Sequence, residues 1–259
     1  MSTAAAQDVG DVVVVVLDRG DARFFEAGAD GARELGRLRL PAVRTTRFHG
    51  DRQGGPGWGE RDYHTRLREE ERRHVEAVVE RLLELDRWHG FEGVVLAGPG
   101  PGMAALARAL PAGLSLRLLA TTHLQEVSPA TVARVAADAR AARRLVLERE
   151  LVAAVEAGLG RGCSTNGTRE TLRALARGQV RTLVVTAGSV GPGFRCGETG
   201  RLVLTHAECR GEGEPVPVPD LAARAVEDAH RLGATTELIH DPDLAARVEG
   251  LAALLRYPS

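Results

Sequence analysis

At 259 residues and a formal net charge of −1, the chain is long enough for two ordinary domains with separate cores, and it is not a globally basic nucleic-acid binder; any such surface must be local. All of its 34 Lys-plus-Arg residues are arginines, which beside the richness in Ala, Gly and Val reads as the codon bias of a high-GC genome. Residues 1–9 are expected to form a disordered tail without the basic start and apolar run of a signal peptide, and no run approaches the ~20 apolar residues of a membrane span. Three cysteines (Cys163, Cys196, Cys209) are too few for a disulfide framework and fit a reducing compartment, so the expectation is a soluble, cytoplasmic protein.

The β-branched run Val12–Leu17, the turn Asp18-Arg-Gly-Asp21 and Ala22-Arg-Phe-Phe-Glu26 predict a hairpin. Alternation over 33–40 predicts a third strand ending at Pro41. From Arg44 to Arg61 the chain becomes basic and dense in glycine. Five glycines and a proline between Gly50 and Gly59 exclude helix or central strand and predict a long loop. Apolar positions at helical spacing (Leu67, Val75, Val78, Val79, Leu82, Leu83, Leu85) then predict an amphipathic helix from Glu60 to about Trp88, whose first turns are wholly polar. Gly93–Ala97 reads as a strand and 103–110 as a helix. The glycine turn between them lacks both GK[ST] and GxGxxG spacing, which makes it a poor phosphate cradle. A strand over 114–122 and a helix from Ser128-Pro129 to about Gly158 follow. Beyond Gly160 the pattern is helix (168–177), strand (180–186), a glycine-rich insert (188–213), helix (220–232), strand (236–240) and an apolar end, 251–257. The expected fold class is α/β in two domains, 10–140 and 141–259.

The loop carries Arg44, Arg47, Arg52 and Arg61 with Phe48, Trp58 and Tyr63 interleaved, and Arg66 follows in the helix. Cations to meet phosphates and rings to stack on bases make an RNA-facing surface from Arg44, Arg47, Arg52, Gly54, Gly55, Gly57, Trp58, Gly59, Arg61 and Arg66, although a surface excursion without a partner has the same composition. Glu60 stands where a ligand could be gripped, but an acid at a helix start is also what the helix dipole favours. Cys196 and Cys209 with His206 between them offer half of a structural zinc site, so no metal is expected there. No GxSxG or HExxH occurs, and no cofactor is implied.

In the order of its elements the chain resembles the bacterial branch of the archaeo-eukaryotic release factor superfamily, which includes the class I release factors, Pelota, the Vms-type peptidyl-tRNA hydrolases and the hibernation factor Balon. The resemblance lies in the Val12–Glu26 hairpin, the Gln53-Gly54-Gly55…Trp58 loop leading into the Arg61–Leu85 helix, the segment Thr168–Val185 and the end Leu251–Tyr257. It implies an RNase H-like domain, the superfamily's middle domain, followed by a C-terminal α/β sandwich of the kind found in certain RNA-binding ribosomal proteins. Cys196 and Cys209 fall where many relatives carry a small zinc-binding insert. The implied partners are ribosomal RNA at the peptidyl-transferase centre and a translational GTPase for delivery. In hydrolytic members a loop glutamine positions water at the peptidyl-tRNA ester, whereas here Glu60 takes that place in the pairing Gly55-Pro-Gly-Trp-Gly-Glu60, with Gln53 as the substitute if the register shifts. A carboxylate only accepts hydrogen bonds and repels phosphates. The resemblance therefore implies a tRNA-shaped, ribosome-binding factor for rescue or hibernation. Two alternatives are a peptidyl-tRNA hydrolase and an adaptor or stress protein that kept the fold without the ribosome.

Overall fold

Five valines and a leucine in succession, Val12 to Leu17, are all buried, as a strand covered on both faces must be. The computed structural model describes residues 10–18, 20–39, 58–99, 102–188 and 190–258, except for the side chains of 58–67. Two compact units divide between Ala142 and Arg143.

In the first unit the strands are β1 (Val12–Asp18), β2 (Asp21–Gly28) and β3 (Gly31–Arg39). They are followed by α1 (Trp58–His89), β4 (Gly93–Ala97), α2 (Gly102–Ala109), α3 (Ala112–Ser115), β5 (Leu118–Thr122) and the start of α4 (Pro129–Leu159). The sheet order is β3-β2-β1-β4-β5. β1 pairs antiparallel with β2 and parallel with β4, so a hairpin extends a parallel core in the RNase H-like manner. Alternate residues of β1 enter different cores. Val13, Val15 and Leu17 meet Val75, Val78, Leu82 and Leu85 of α1 and Leu106 of α2. Val12, Val14 and Val16 meet Val132, Ala136 and Ala139 of α4. α4 begins where Ser128 predicts, with the Thr131 amide donating to the Ser128 hydroxyl at 3.2 Å. The strand expected over 114–122 is shorter, because Pro111 starts the single turn α3 and pairing resumes only at Leu118.

The second unit contains the end of α4, β6 (Ser164–Asn166), α5 (Thr168–Ala176), β7 (Val180–Thr186), β8 (Gly193–Arg195) and β9 (Leu202–Val203). A 3-10 turn (His206–Cys209), β10 (Val216–Val218), α6 (Leu221–Arg231), β11 (Thr235–Ile239), α7 (Pro242–Ala245) and β12 (Leu251–Leu255) complete it. The main sheet has the order β11-β7-β12-β6. α5 and α6 cover one face through Leu172, Leu175, Leu221 and Ala225. Val152 and Val155 of α4, with Leu244 of α7, cover the other. Asp220 and Asp241 cap α6 and α7 by accepting the amides of Ala223 (2.9 Å) and Leu244 (3.0 Å). The glycine-rich insert is more ordered than its composition suggests: β8, β9 and β10 form a small sheet of their own.

The cysteine reading needs correction. Cys196 and Cys209 form a disulfide, with Cα atoms 5.2 Å apart and both residues buried beside Val203. His206 sits edge-on to the Phe194 ring, and no group of three or more potential metal ligands occurs among the described residues. Two cysteines thirteen positions apart gave no pairing signal in one dimension; the β8–β9 hairpin and the 3-10 turn bring them together.

Candidate nucleic-acid interface

The glycine loop leaves the first unit at the C-terminal end of β3, where Arg39 pairs in register with Asp21 beside the β1–β2 turn. Gln53, Arg44, Arg47, Arg52, Gly54, Gly55 and Gly57 lie outside the described residues. Glu60 and Arg61 are helical, as the expected helix start at Glu60 requires, but α1 begins two residues earlier, so Trp58 and Gly59 do not belong to the loop; Arg66 lies two turns further along. Glu60 is thus in the first turn of α1 and not at a loop tip.

α1 packs on the sheet through its C-terminal half, from Val75 to Leu85. Near its C-terminus His89 contacts Glu26 of β2 at 3.1 Å. Its first buried described residue is His74, beside the end of β1 at Asp18. None of residues 68–73 is buried. The sixteen residues from Trp58 to Arg73, the arm, amount to about 24 Å of helix at 1.5 Å per residue and precede the first buried residue described.

The arm's charge is largely matched. Arg72 takes Glu69 at 2.7 Å and Glu76, and Arg73 also reaches Glu69 at 3.3 Å. Arg72 holds the Glu69 carboxyl below the usual range. At the loop's departure the β2–β3 face is similarly laced: Arg23 holds Glu34 at 2.6 Å, Arg33 holds Glu26 at 2.5 Å, and Arg37 holds Asp21. All three carboxyls are lowered, first by the arginine hydrogen bond. Such exposed pairs add roughly 0–1 kcal/mol each to stability, but they cancel charge locally. Two cations remain. Arg39, the last described residue before the loop, is exposed and acts on the Asp21 carboxylate that Arg37 already holds, and Arg68 on the arm is exposed with no carboxylate partner among the described residues. Sequence reasoning does not single out either, because which acid lies at pairing distance requires the register.

His74 is another residue the sequence does not reveal. It is 6% exposed, and neither ring nitrogen makes a hydrogen bond of normal geometry, the Asp18 backbone offering the one polar contact, a weak one. Burial pushes its pKa below the usual value, outweighing the Asp18 backbone nearby. The turn after β4 is no phosphate cradle in its described part. Gly98 has φ +156°, a Cβ there would stand 2.1 Å from the Leu17 carbonyl oxygen, and its own amide already donates to Thr122. Glycine is required there for backbone contact.

The model of bacterial archaeo-eukaryotic release factor family 10 matches residues 3–149, more than half of the chain. The chain belongs to that family. No curated protein matches it. Among solved structures, the family 10 chain is similar to a model of ribosome-bound archaeal Pelota and ABCE1, at 19% identity with a TM-score of 0.55, covering 98% of this chain and 63% of the other. It is also similar to Saccharomyces cerevisiae Dom34, described as a translation termination-like factor involved in RNA quality control pathways and interacting with Hbs1, at 11% identity and a TM-score of 0.54, covering 98% and 66%. At these identities the likeness establishes the two-domain α/β fold, and this chain spans less than two thirds of the length of each of these structures. No described helix is long and apolar enough to cross a membrane.

Proposed function

We propose that this family 10 protein is a ribosome-binding, release-factor-like translation factor that acts in the cytoplasm in ribosome rescue or hibernation. Its loop, residues 44–57, and the start of α1 would contact ribosomal RNA near the peptidyl-transferase centre, with a translational GTPase as delivery partner. The observation that carries the reading is the basic glycine sequence that runs from the end of β3 into the polar first turns of α1, where Arg68 is exposed without a carboxylate partner among the described residues. The ribosome-bound setting of the similar Pelota supports the partner class. The helical backbone at Glu60 favours a binding role over ester hydrolysis.

Cosedimentation with ribosomes from stationary-phase or stalled extracts at low salt tests the reading. Association is expected, and reversal of Arg44, Arg47 and Arg52 to Glu should weaken it steeply and in a salt-dependent way. Absence of association under those conditions sinks it. If the protein instead releases nascent chains from stalled 50S particles through Gln53 or Glu60, the hydrolase reading replaces it.

A further inference from the structure

A second row of arginines lies on the second unit, on elements that the loop and arm do not include. Arg169, Arg173 and Arg177 follow one another at i, i+4 and i+8 on α5 and its C-cap, and all three are exposed. At this spacing they share one helix face at steps of roughly 6 Å, one cation per turn. Their neighbours Leu172 and Leu175 point the other way, into the core. Gly178 stops the helix with φ +69°, and the chain turns at once into β7, where Arg181 is exposed again. Val180, Leu183 and Val185 pack under α5 and α6, and the register of β7 with β12 shifts at Arg181, which the pairing skips between Val180 and Thr182. Arg256 adds a fifth guanidinium close by. It donates to the carbonyls of Val180 (3.0 Å), Leu232 (2.8 Å) and Gly233 (3.0 Å) and has no ion pair with an acid among the described residues.

The carboxylates that could cancel this row are turned away or occupied. Glu170 reaches back toward Gly167 at the start of α5, where a Cβ would lie 2.9 Å from its oxygen. Glu208 is engaged by Arg169 at 3.3 Å and by the Thr205 hydroxyl at 3.0 Å. Asp228 is held by Arg195 at 2.7 Å and by Arg231. Arg173, Arg177 and Arg181 have no ion pair among the described residues. The contrast with β2–β3 and the α1 arm decides the matter: there, arginines of equal density are matched by acids. Favourable placement near the C-terminal dipole of α5 accounts for one or two cations within the last turn, but not for a row that continues into β7.

We propose that Arg169, Arg173, Arg177 and Arg181 form a second RNA-docking surface, a track for the phosphate backbone read by charge and spacing without base contacts. The identity of that RNA as ribosomal rests on the function proposed above; the surface itself does not.

The test is anisotropy of a fluorescent 20-base-pair RNA duplex titrated with the full chain over 50–200 mM salt. Wild type is compared with Arg173→Gln/Arg177→Gln/Arg181→Gln and with Arg44→Glu/Arg47→Glu/Arg52→Glu. Neutralising three phosphate contacts should weaken binding at least tenfold at 100 mM salt and reduce the salt slope by between two and three, since each contact contributes about 0.9 in duplex DNA. An unchanged affinity or slope in the α5–β7 variant overturns the proposal. So does displacement of RNA by polyglutamate at equal charge concentration, which would mark a general acidic-partner surface. If the α5–β7 variant loses RNA while wild type fails to cosediment with ribosomes, the surface stands and the ribosomal reading falls. If the loop variant alone loses both, the ribosomal reading stands and this surface falls.

Discussion

Replacing His74 by leucine should stabilise the first unit. The ring is 6% exposed and neither nitrogen makes a hydrogen bond of normal geometry, so the native state carries a donor and an acceptor that were hydrated in the unfolded chain. A poorly satisfied buried polar group costs roughly 1–3 kcal/mol, and a leucine of similar size at this buried position removes that cost. The gain should also depend on pH. Burial lowers the pKa of His74 in the folded state, so between that value and about 6.5 the unfolded chain binds a proton that the folded chain does not. The histidine's penalty is therefore constant above about pH 6.5 and grows as pH falls below it, by at most about 1.4 kcal/mol per pH unit. Both tryptophans, Trp58 and Trp88, are in α1, so fluorescence follows this unit during urea unfolding even if the other unfolds separately. At pH 7.5 the His74→Leu midpoint should rise by about 0.5–1 M urea, and at pH 5.5 by more. A midpoint that falls, or a gain that is the same at both pH values, refutes the account of His74 as a poorly satisfied, neutral core residue.

Three further outcomes follow from the packing. Leu82 is fully buried between α1 and the sheet, and Leu82→Ala should cost the first unit about 2–5 kcal/mol in the same urea assay. Gly98→Ala forces a Cβ to within 2.1 Å of the Leu17 carbonyl oxygen and should lower the thermal midpoint of that unit by several degrees, whereas Gly113→Ala, with nothing within 4 Å, should leave it within a degree or two. Reducing the Cys196–Cys209 bond, or making Cys196→Ser/Cys209→Ser, frees a loop of thirteen-residue separation worth about 3 kcal/mol of closure entropy; amide exchange over 193–213 should accelerate while exchange in β7 and β12 stays slow.

The regular elements were legible because each satisfies a local rule. The valine run of β1 can only be a strand buried on both faces, the apolar spacing of Val75, Val78, Leu82 and Leu85 can only be one helix stripe, and Ser128-Pro129 is a helix start at any depth. What was not legible depends on contacts distant in sequence. α3 interrupts an apolar run whose residues suit a strand equally well. β6, only three residues long, exists because β12 offers it an edge more than eighty positions later. The disulfide needed the fold of the insert, and the burial of His74 needed the place where α1 first meets the sheet. For the candidate interface, the glycine loop and polar first turns were visible in sequence, but the cation left without an acid was not.

That last point changes what arginine content means in this chain. A net charge of −1 with every basic residue an arginine implies that most guanidinium groups have a carboxylate to meet, and on β2–β3, α1 and α6 they do. On the proposals above, recognition of a polyanion would come from places where pairing fails: Arg68 beside the loop, and Arg173, Arg177 and Arg181 in the second unit. Two such places on one chain, each with few uncompensated cations, predict binding that is weak at either alone and steep in salt only when both engage. A globally basic protein would coat any nucleic acid. On the two proposals taken together, an RNA that engaged both surfaces would be bound far more tightly than fragments that reach one, because linked weak contacts multiply.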